Sequence, residues 1–290
     1  MSYLKNKIIN NETDVPIPIY IGPRDDSFKQ LIKNILVNAK LKHKYLDQVL
    51  TLKNLKLIGN AFTAESANPK NNSEIYEQLG DLTINKFIVW YMYKRFPQLN
   101  CTDGVKIVAR LRINYGSKDS FFNIASNLGF WDYISASVEE REHRKKPLLE
   151  DSFEAFVGVI ESILDNIFGI GVGYGLLYTI LKSIFDNIPI SLKYEDLYDA
   201  KTRLKELFDI YPELSDLIYK EDKTDNITTS NVFCTINKNT GINRSTAFLG
   251  SGMASLKSDA QQKAAISGLK YLNARGYIKN IAPIYTIINQ

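Results

Sequence analysis

The sequence predicts a mainly α-helical protein that closes in a small α+β module, and three observations carry that expectation. From about residue 48 to 188 the apolar residues recur at almost wholly helical spacing. Pro189, in DNIPISL, marks a boundary. Beyond it a helical stretch, YEDLYDAKTRLKELFDIY, precedes short alternating runs, LIYKE, NVFCTIN and STAFLGS, and a closing helix, SLKSDAQQKAAISGLKYLNARG. That is an α-β-β-β-α order over residues 193–277.

Taken in order, residues 1–47 form an extension with a Pro-rich start. Its helix, FKQLIKNILVNAKL, has Asp26 or Ser27 as N-cap. Lys29, Lys33 and Lys40 on this segment suit either RNA or dimer contacts, but a packing cap is the preferred reading. Residues 48–188 form the helical domain, with short loops such as SANPKNNS and the basic EEREHRKKP. In the module, DKTDNITTSN reads as the loop between the first two strands, and Gly276 as the C-cap of the last helix. Residues 278–290 are a tail.

Composition narrows the function classes. A formal charge of +4 and a pI near 8.7 permit an anionic partner without requiring one. The two cysteines, Cys101 and Cys234, lie far apart, which excludes a disulfide framework or a cysteine zinc cluster and points to a reducing, cytoplasmic compartment. The most apolar run, Ile167 to Leu181, is shorter than the ~18 residues of a membrane span and is broken by glycines, so no membrane helix is expected. GIGVGYG does not satisfy G-x-G-x-x-G and follows a helix, which argues against dinucleotide binding. His43 and His143 are isolated, and Trp90 and Trp131 read as core.

The chemistry-bearing residues are two pairs of acids. Glu77 and Asp81 are spaced i,i+4, and Asp151 and Glu154 i,i+3, so each pair shares a helix face. If the two helices pack together, four carboxylates converge and require a hard divalent cation such as Mg²⁺. The ordinary reading of acids on an amphipathic helix is a solvated face. It is strong for the second helix, where Phe153, Phe156, Ile160 and Leu164 make the apolar stripe and Asp151, Glu154, Glu161 and Asp165 lie opposite. The first helix is apolar from Leu82 to Tyr93 except for Thr83, Asn85 and Lys86, and reads as buried on most sides. Gly80, between its acids, costs about 1 kcal/mol of helix propensity, which makes sense if a backbone or ligand approaches closely.

These residues resemble a known family. E-Q-L-G-D at 77–81 is similar to the ribonuclease III signature E-F-L-G-D. The stretch L-x-D-x-F-E-A-F-V-G, from Leu149 through Gly158, resembles the family's second acidic motif. NAFTAES resembles A-L-T-H-x-S with Ala64 in place of the usual histidine, and DSFFNIASNLGFWDYI resembles the intervening stretch. The C-terminal module resembles a double-stranded-RNA-binding domain, GMASLKSDAQQKAA matching G-x-G-x-S-K-K-x-A-K-x-x-A-A. The resemblance implies an all-helical ribonuclease III endonuclease domain followed by a duplex-binding module. It implies Glu77, Asp81, Asp151 and Glu154 as catalytic metal ligands for Mg²⁺, or Mn²⁺ in its place, with Glu74 shaping the site. It further implies two-metal hydrolysis of duplex RNA by a homodimer, one strand per subunit, leaving 5′-phosphate and 3′-hydroxyl ends.

In the module, duplex recognition relies on lysines at a helix N-terminus reaching backbone phosphates. Lys257 keeps the first lysine position, whereas Ser258 and Gln261 stand where lysines are usual. The fold is therefore expected with reduced RNA affinity and a shallow salt dependence. Two rivals stay open at this point: a non-catalytic relative that binds duplex RNA or serves as a structural subunit, and a metal-dependent enzyme with a non-RNA substrate.

Overall fold

The computed structural model describes residues 17–237 and 244–287; the first 16 residues of the extension and the last three of the tail lie outside the described residues. The chain divides into two compact units, one within Met1–Lys94 and Arg112–Ile188, the other within Arg95–Leu111 and Pro189–Gln290.

The first unit opens with β1 (Ile19–Tyr20) and α1 (Asp26–Asn38). Asp25, rather than Asp26 or Ser27, caps α1, accepting the Ser27 N–H at 2.9 Å. The expected cap is displaced by one residue because Asp26 already has helical backbone geometry. Phe28, Ile32, Ile35 and Leu36 bury one side of this helix. Phe28 meets Phe62 at 5.2 Å, Phe62 meets Phe130 at 4.7 Å, and Phe130 meets Phe156 at 5.5 Å, which ties α1 into the core as a packing element. Then come α2 (His43–Val49), α3 (Leu52–Ala61), α4 (Glu74–Arg95) and α6 (Lys118–Asn127), while most of α5 (Thr102–Tyr115), between the last two in sequence, belongs to the second unit. The short strand β2 (Ala136–Ser137) pairs antiparallel with β1, and α7 (Val138–His143), α8 (Lys145–Phe168) and α9 (Gly173–Phe185) complete the series.

The segment EEREHRKKP, expected as a loop, is α7 and the first turn of α8. Its charges pair along the helix, Arg144 with Glu140 at 2.7 Å, an i,i+4 contact that favours helix. Arg24 clamps backbone carbonyls, although much of its side chain is exposed. Its guanidinium donates to the carbonyls of Gly59 and Phe62 at the end of α3 and to that of Tyr133, where the helix dipole favours a cation.

The second unit contains α10 (Tyr194–Leu197), α11 (Ala200–Ile210), strands β3 (Leu214–Thr224), β4 (Ile227–Asn237) and β5 (Arg244–Ala254), then α12 (Lys257–Asn273) and α13 (Pro283–Ile287). The sheet order is β3-β4-β5, antiparallel throughout. Leu204 and Leu207 of α11 share a core with Val232, Cys234, Leu249, Ala264 and Leu272. At Gly252 a Cβ would lie 2.4 Å from the Ala264 nitrogen, so α12 rests directly on β5. The expected loop DKTDNITTSN is instead two long strand ends joined by a two-residue turn, Asp225–Asn226. Asp225 has φ +54°, a conformation Asp tolerates in tight hairpins. Gly276 takes φ +88°, two residues beyond the cap residue Ala274.

Candidate active site

The site begins where α4 crosses α8. A Cβ at Gly80 would lie 1.8 Å from the Glu154 carbonyl oxygen, and one at Gly158 would lie 2.0 Å from that of Tyr76. Two glycines thus let the helix backbones touch, and the acids one turn away on each helix are pressed together. Oxygens of Glu77, Asp151 and Glu154 all lie within 4.8 Å of one another.

Asp81 stands outside that group of three. It is exposed, and Asn85 donates to its carboxylate at 2.8 Å. Its charge still reaches Glu154, where it is the largest coulombic influence after burial. Glu74 is exposed and lines a cleft of about 300 Å³ with Ala64, Ser66, Glu140, Arg144 and Asp151. In that cleft Ser66 donates to Glu140 at 2.5 Å, and the same Glu140 holds Arg144.

Electrostatics mark the cluster. Burial pushes the Asp151 carboxyl up to about 7, reinforced by the charges of Glu77 and Glu150. Burial likewise pushes Glu154 up to about 8, reinforced by Asp81, Glu150 and Glu77. Burial and the neighbouring Glu74 and Glu150 raise Glu77. Three acids this close and this desolvated cannot comfortably ionise together.

The burial of the two helices differs from the sequence expectation. Glu154 is only 8% exposed and Asp151 is half-buried, so the supposed solvated face of the second helix is covered. On α4, Ile84, Ile88 and Met92 are buried as the pattern indicates, but Ile75, Leu79, Leu82, Val89, Trp90 and Tyr93 are exposed along the opposite side. Trp90, expected in the core, is 46% exposed; Trp131 is only partly buried and stacks on the Arg141 guanidinium at 4.0 Å.

Two residues near the acids escaped the sequence reading. Glu150 is 4% exposed, and Lys118 pairs with it at 2.8 Å. An acid directly before Asp151, in LLEDSFE, is the signal for Glu150; nothing local marks Lys118, which comes from α6. In the second unit, Lys257 pairs with Glu221 of β3 at 3.3 Å, and Gln261 donates to the same carboxylate while accepting from Lys201. Ser258 is exposed and contacts Asp259. Glu221, unrecognised in the sequence, thus occupies the polar groups at the start of α12.

The model of the ribonuclease III domain matches residues 74–162, which contain all four acids. The chain is 39% identical over 287 residues to a protein of Invertebrate iridescent virus 6 assigned provisionally as ribonuclease 3, covering 94% of this chain and 97% of that one. It is 37% identical to a protein of Frog virus 3 with the same provisional assignment, over 84% of this chain and 62% of that one. It is 30% identical to ribonuclease 3 of Borreliella burgdorferi, over 83% of this chain and 91% of that one. Two helices crossing on glycines around clustered acids thus coincide with end-to-end sequence likeness, and the chain belongs to the ribonuclease III family as an endoribonuclease, a hydrolase of phosphodiester bonds.

Proposed function

We propose that this endoribonuclease cleaves double-stranded RNA as a homodimer, using Mg²⁺ held by Glu77, Asp151 and Glu154 with Asp81 beside them. The observation that carries the reading is the convergence of three carboxylates within 4.8 Å at the glycine crossing. The donor set fits the metal: hard oxygen ligands suit Mg²⁺, with Mn²⁺ as a substitute. A bound divalent cation would supply an activated water and neutralise charge at phosphorus.

The chain's own residues do the rest. Gly80 and Gly158 fix the spacing of the acids, so the donors are in place before substrate arrives. Asp151 and Glu154, whose carboxyls are pushed up to about 7 and about 8, would have to give up their protons to hold the cation. Asn85 holds Asp81 at the exposed side, facing an approaching backbone. Each subunit of the dimer cuts one strand, leaving 5′-phosphate and 3′-hydroxyl ends. The exposed row Ile75, Leu79, Leu82, Val89, Trp90 and Tyr93 supports a self-complementary contact between subunits.

In this reading residues 48–188 form the nuclease domain and 193–277 a duplex-binding module that contributes few phosphate contacts, because Glu221 already engages Lys257 and Gln261. Two free cysteines suit a reducing, cytoplasmic setting; among the described residues no helix is long and apolar enough to cross a membrane.

The test is cleavage of a long RNA duplex with Mg²⁺. Glu154→Gln should lower kcat by about 10³-fold or more, since it removes a ligand that acts in the transition state. Asp81→Asn, at the edge of the cluster, should cost less, about 10²-fold. Processing by both variants at the wild-type rate would sink the proposed site. Duplex binding without cleavage by wild type would favour a non-catalytic role.

A further inference from the structure

Glu150 and Lys118 form a charged pair that the proposed reaction does not use. Glu150 sits at the position that L-x-D-x-F-E-A-F-V-G leaves open, on a helix whose other buried positions are mostly apolar. Its side chain is 5% exposed, while that of Lys118 is 78% exposed, and they meet at 2.8 Å. A buried fourth acid beside Glu77, Asp151 and Glu154 worsens a repulsion that is already severe. Stability alone gives no reason for it, because an apolar residue of similar volume is often as good as a buried ion pair.

What the pair adds is a cation fixed at the rim of an anionic centre. A lysine ammonium has three donors; one reaches Glu150, and the 78% exposed side chain leaves the other two open to solvent. Lys118 also senses the whole cluster, its ammonium being stabilised by the hydrogen bond to Glu150 and by the charges of Glu150, Asp151 and Glu154.

We infer that Lys118 is a substrate-contacting residue that binds a backbone phosphate of the duplex beside the cut, and that Glu150 is the positioning residue that holds it there. The inference rests on the duplex-RNA reading above. It assigns this chain a phosphate contact from α6, outside both acidic motifs.

The experiment uses the full chain and two readouts, steady-state cleavage of duplex RNA and equilibrium duplex binding in EDTA over a range of KCl. Lys118→Gln should raise KM about 10-fold with kcat changed less than about twofold, the signature of lost binding shared by ground and transition states. It should also flatten the plot of log K against log salt by about 0.9, the loss of one phosphate contact. Lys118→Arg should keep the wild-type slope. Glu150→Gln should keep the slope and raise KM about threefold, because the ammonium stays but is no longer held.

A purely structural pair predicts another pattern: Lys118→Gln lowers the melting temperature with the salt slope unchanged, and the double variant Lys118→Gln/Glu150→Gln recovers wild-type behaviour. That pattern overturns the inference. The double variant leaves no buried charge unpaired, so it tests the slope even if the single variant folds poorly; a wild-type slope there is also fatal. Wild-type cleavage with an unaffected Lys118→Gln overturns this inference alone. Wild-type protein that neither binds nor cuts duplex RNA overturns the functional reading and this inference with it.

Discussion

α4 and α8 both carry acids to the centre, yet they stand in different surroundings. Helices α2, α3, α6, α7 and α9 all contact α8, and 14 of its 24 residues are buried. Its acids are desolvated as a consequence, and Asp151 and Glu154 hold their protons up to about 7 and about 8. Only 7 of the 22 residues of α4 are buried. It gives the centre a half-buried Glu77 and an exposed Asp81, and keeps an apolar row on its far side. One helix therefore sets the electrostatics of the site. The other sets its spacing and leaves an apolar row exposed.

The largest effect should come from breaking the crossing itself. Gly→Ala inside a helix ordinarily stabilises by about 1 kcal/mol. At Gly80 the added methyl would sit 1.8 Å from the Glu154 carbonyl, and at Gly158 2.0 Å from that of Tyr76. The helices must separate, which costs about 1–3 kcal/mol and displaces the acids from one another. Gly80→Ala and Gly158→Ala should each lower duplex cleavage by about 100-fold or more, as expected for a misplacement near 1 Å, and lower the melting temperature. Gly175→Ala in α9 is the control, because nothing lies within 4 Å of its Cβ. It should leave both values equal to or above wild type. Equal behaviour of all three variants would mean that the glycine crossing does not hold the site together.

The exposed face of α4 should yield the next effect. Leu82 is 70% exposed, so Leu82→Glu changes little within one subunit. In a dimer it would remove an apolar contact worth about 1.5–3 kcal/mol and bury a charge. Sedimentation should show the dimer weakened by about 100-fold or more, with the melting temperature of the dissociated subunit near that of wild type. A wild-type protein that is monomeric at micromolar concentration would remove the homodimer from the reading.

Much of this is legible in the residues, but the sequence pattern ranks the burial of the two helices in the reverse of the observed order. Apolar density from Leu82 to Tyr93 reads as burial in the subunit, yet a wheel of residues cannot distinguish a face on its own core from a face awaiting a partner. The acids of α8 read as solvated because their own helix has an apolar stripe opposite them; what covers them arrives from distant helices. Gly80 gave the correct hint of a close approach, although its partner Gly158 became apparent only in three dimensions. Lys118 and Glu221 meet their partners across 32 and 36 residues of sequence respectively, and no local pattern records such pairings. The hairpin at Asp225–Asn226 was hidden by polar strand ends that resemble a loop.

The smallest effect sharpens the comparison through pH. In the metal-free protein the folded carboxyls of Asp151 and Glu154 lie above their ordinary values of 3.8 and 4.5. The unfolded chain therefore loses these protons near pH 4, while the folded chain keeps them until about 7 to 8. Between those limits the folded state binds more protons, so this contribution to stability is fully present below pH 4 and is lost as pH rises through about 8. Glu154→Gln cannot ionise and escapes its share of the loss. In EDTA the variant's melting temperature should gain on wild type as pH rises from about 5.5 to 8.5, by roughly 5 °C. Mg²⁺ should reverse the order, stabilising wild type more at the higher pH, because cation and protons compete for the same oxygens. A gain independent of pH would show that the acids of α8 are not desolvated, and would erase the electrostatic distinction drawn between the helices.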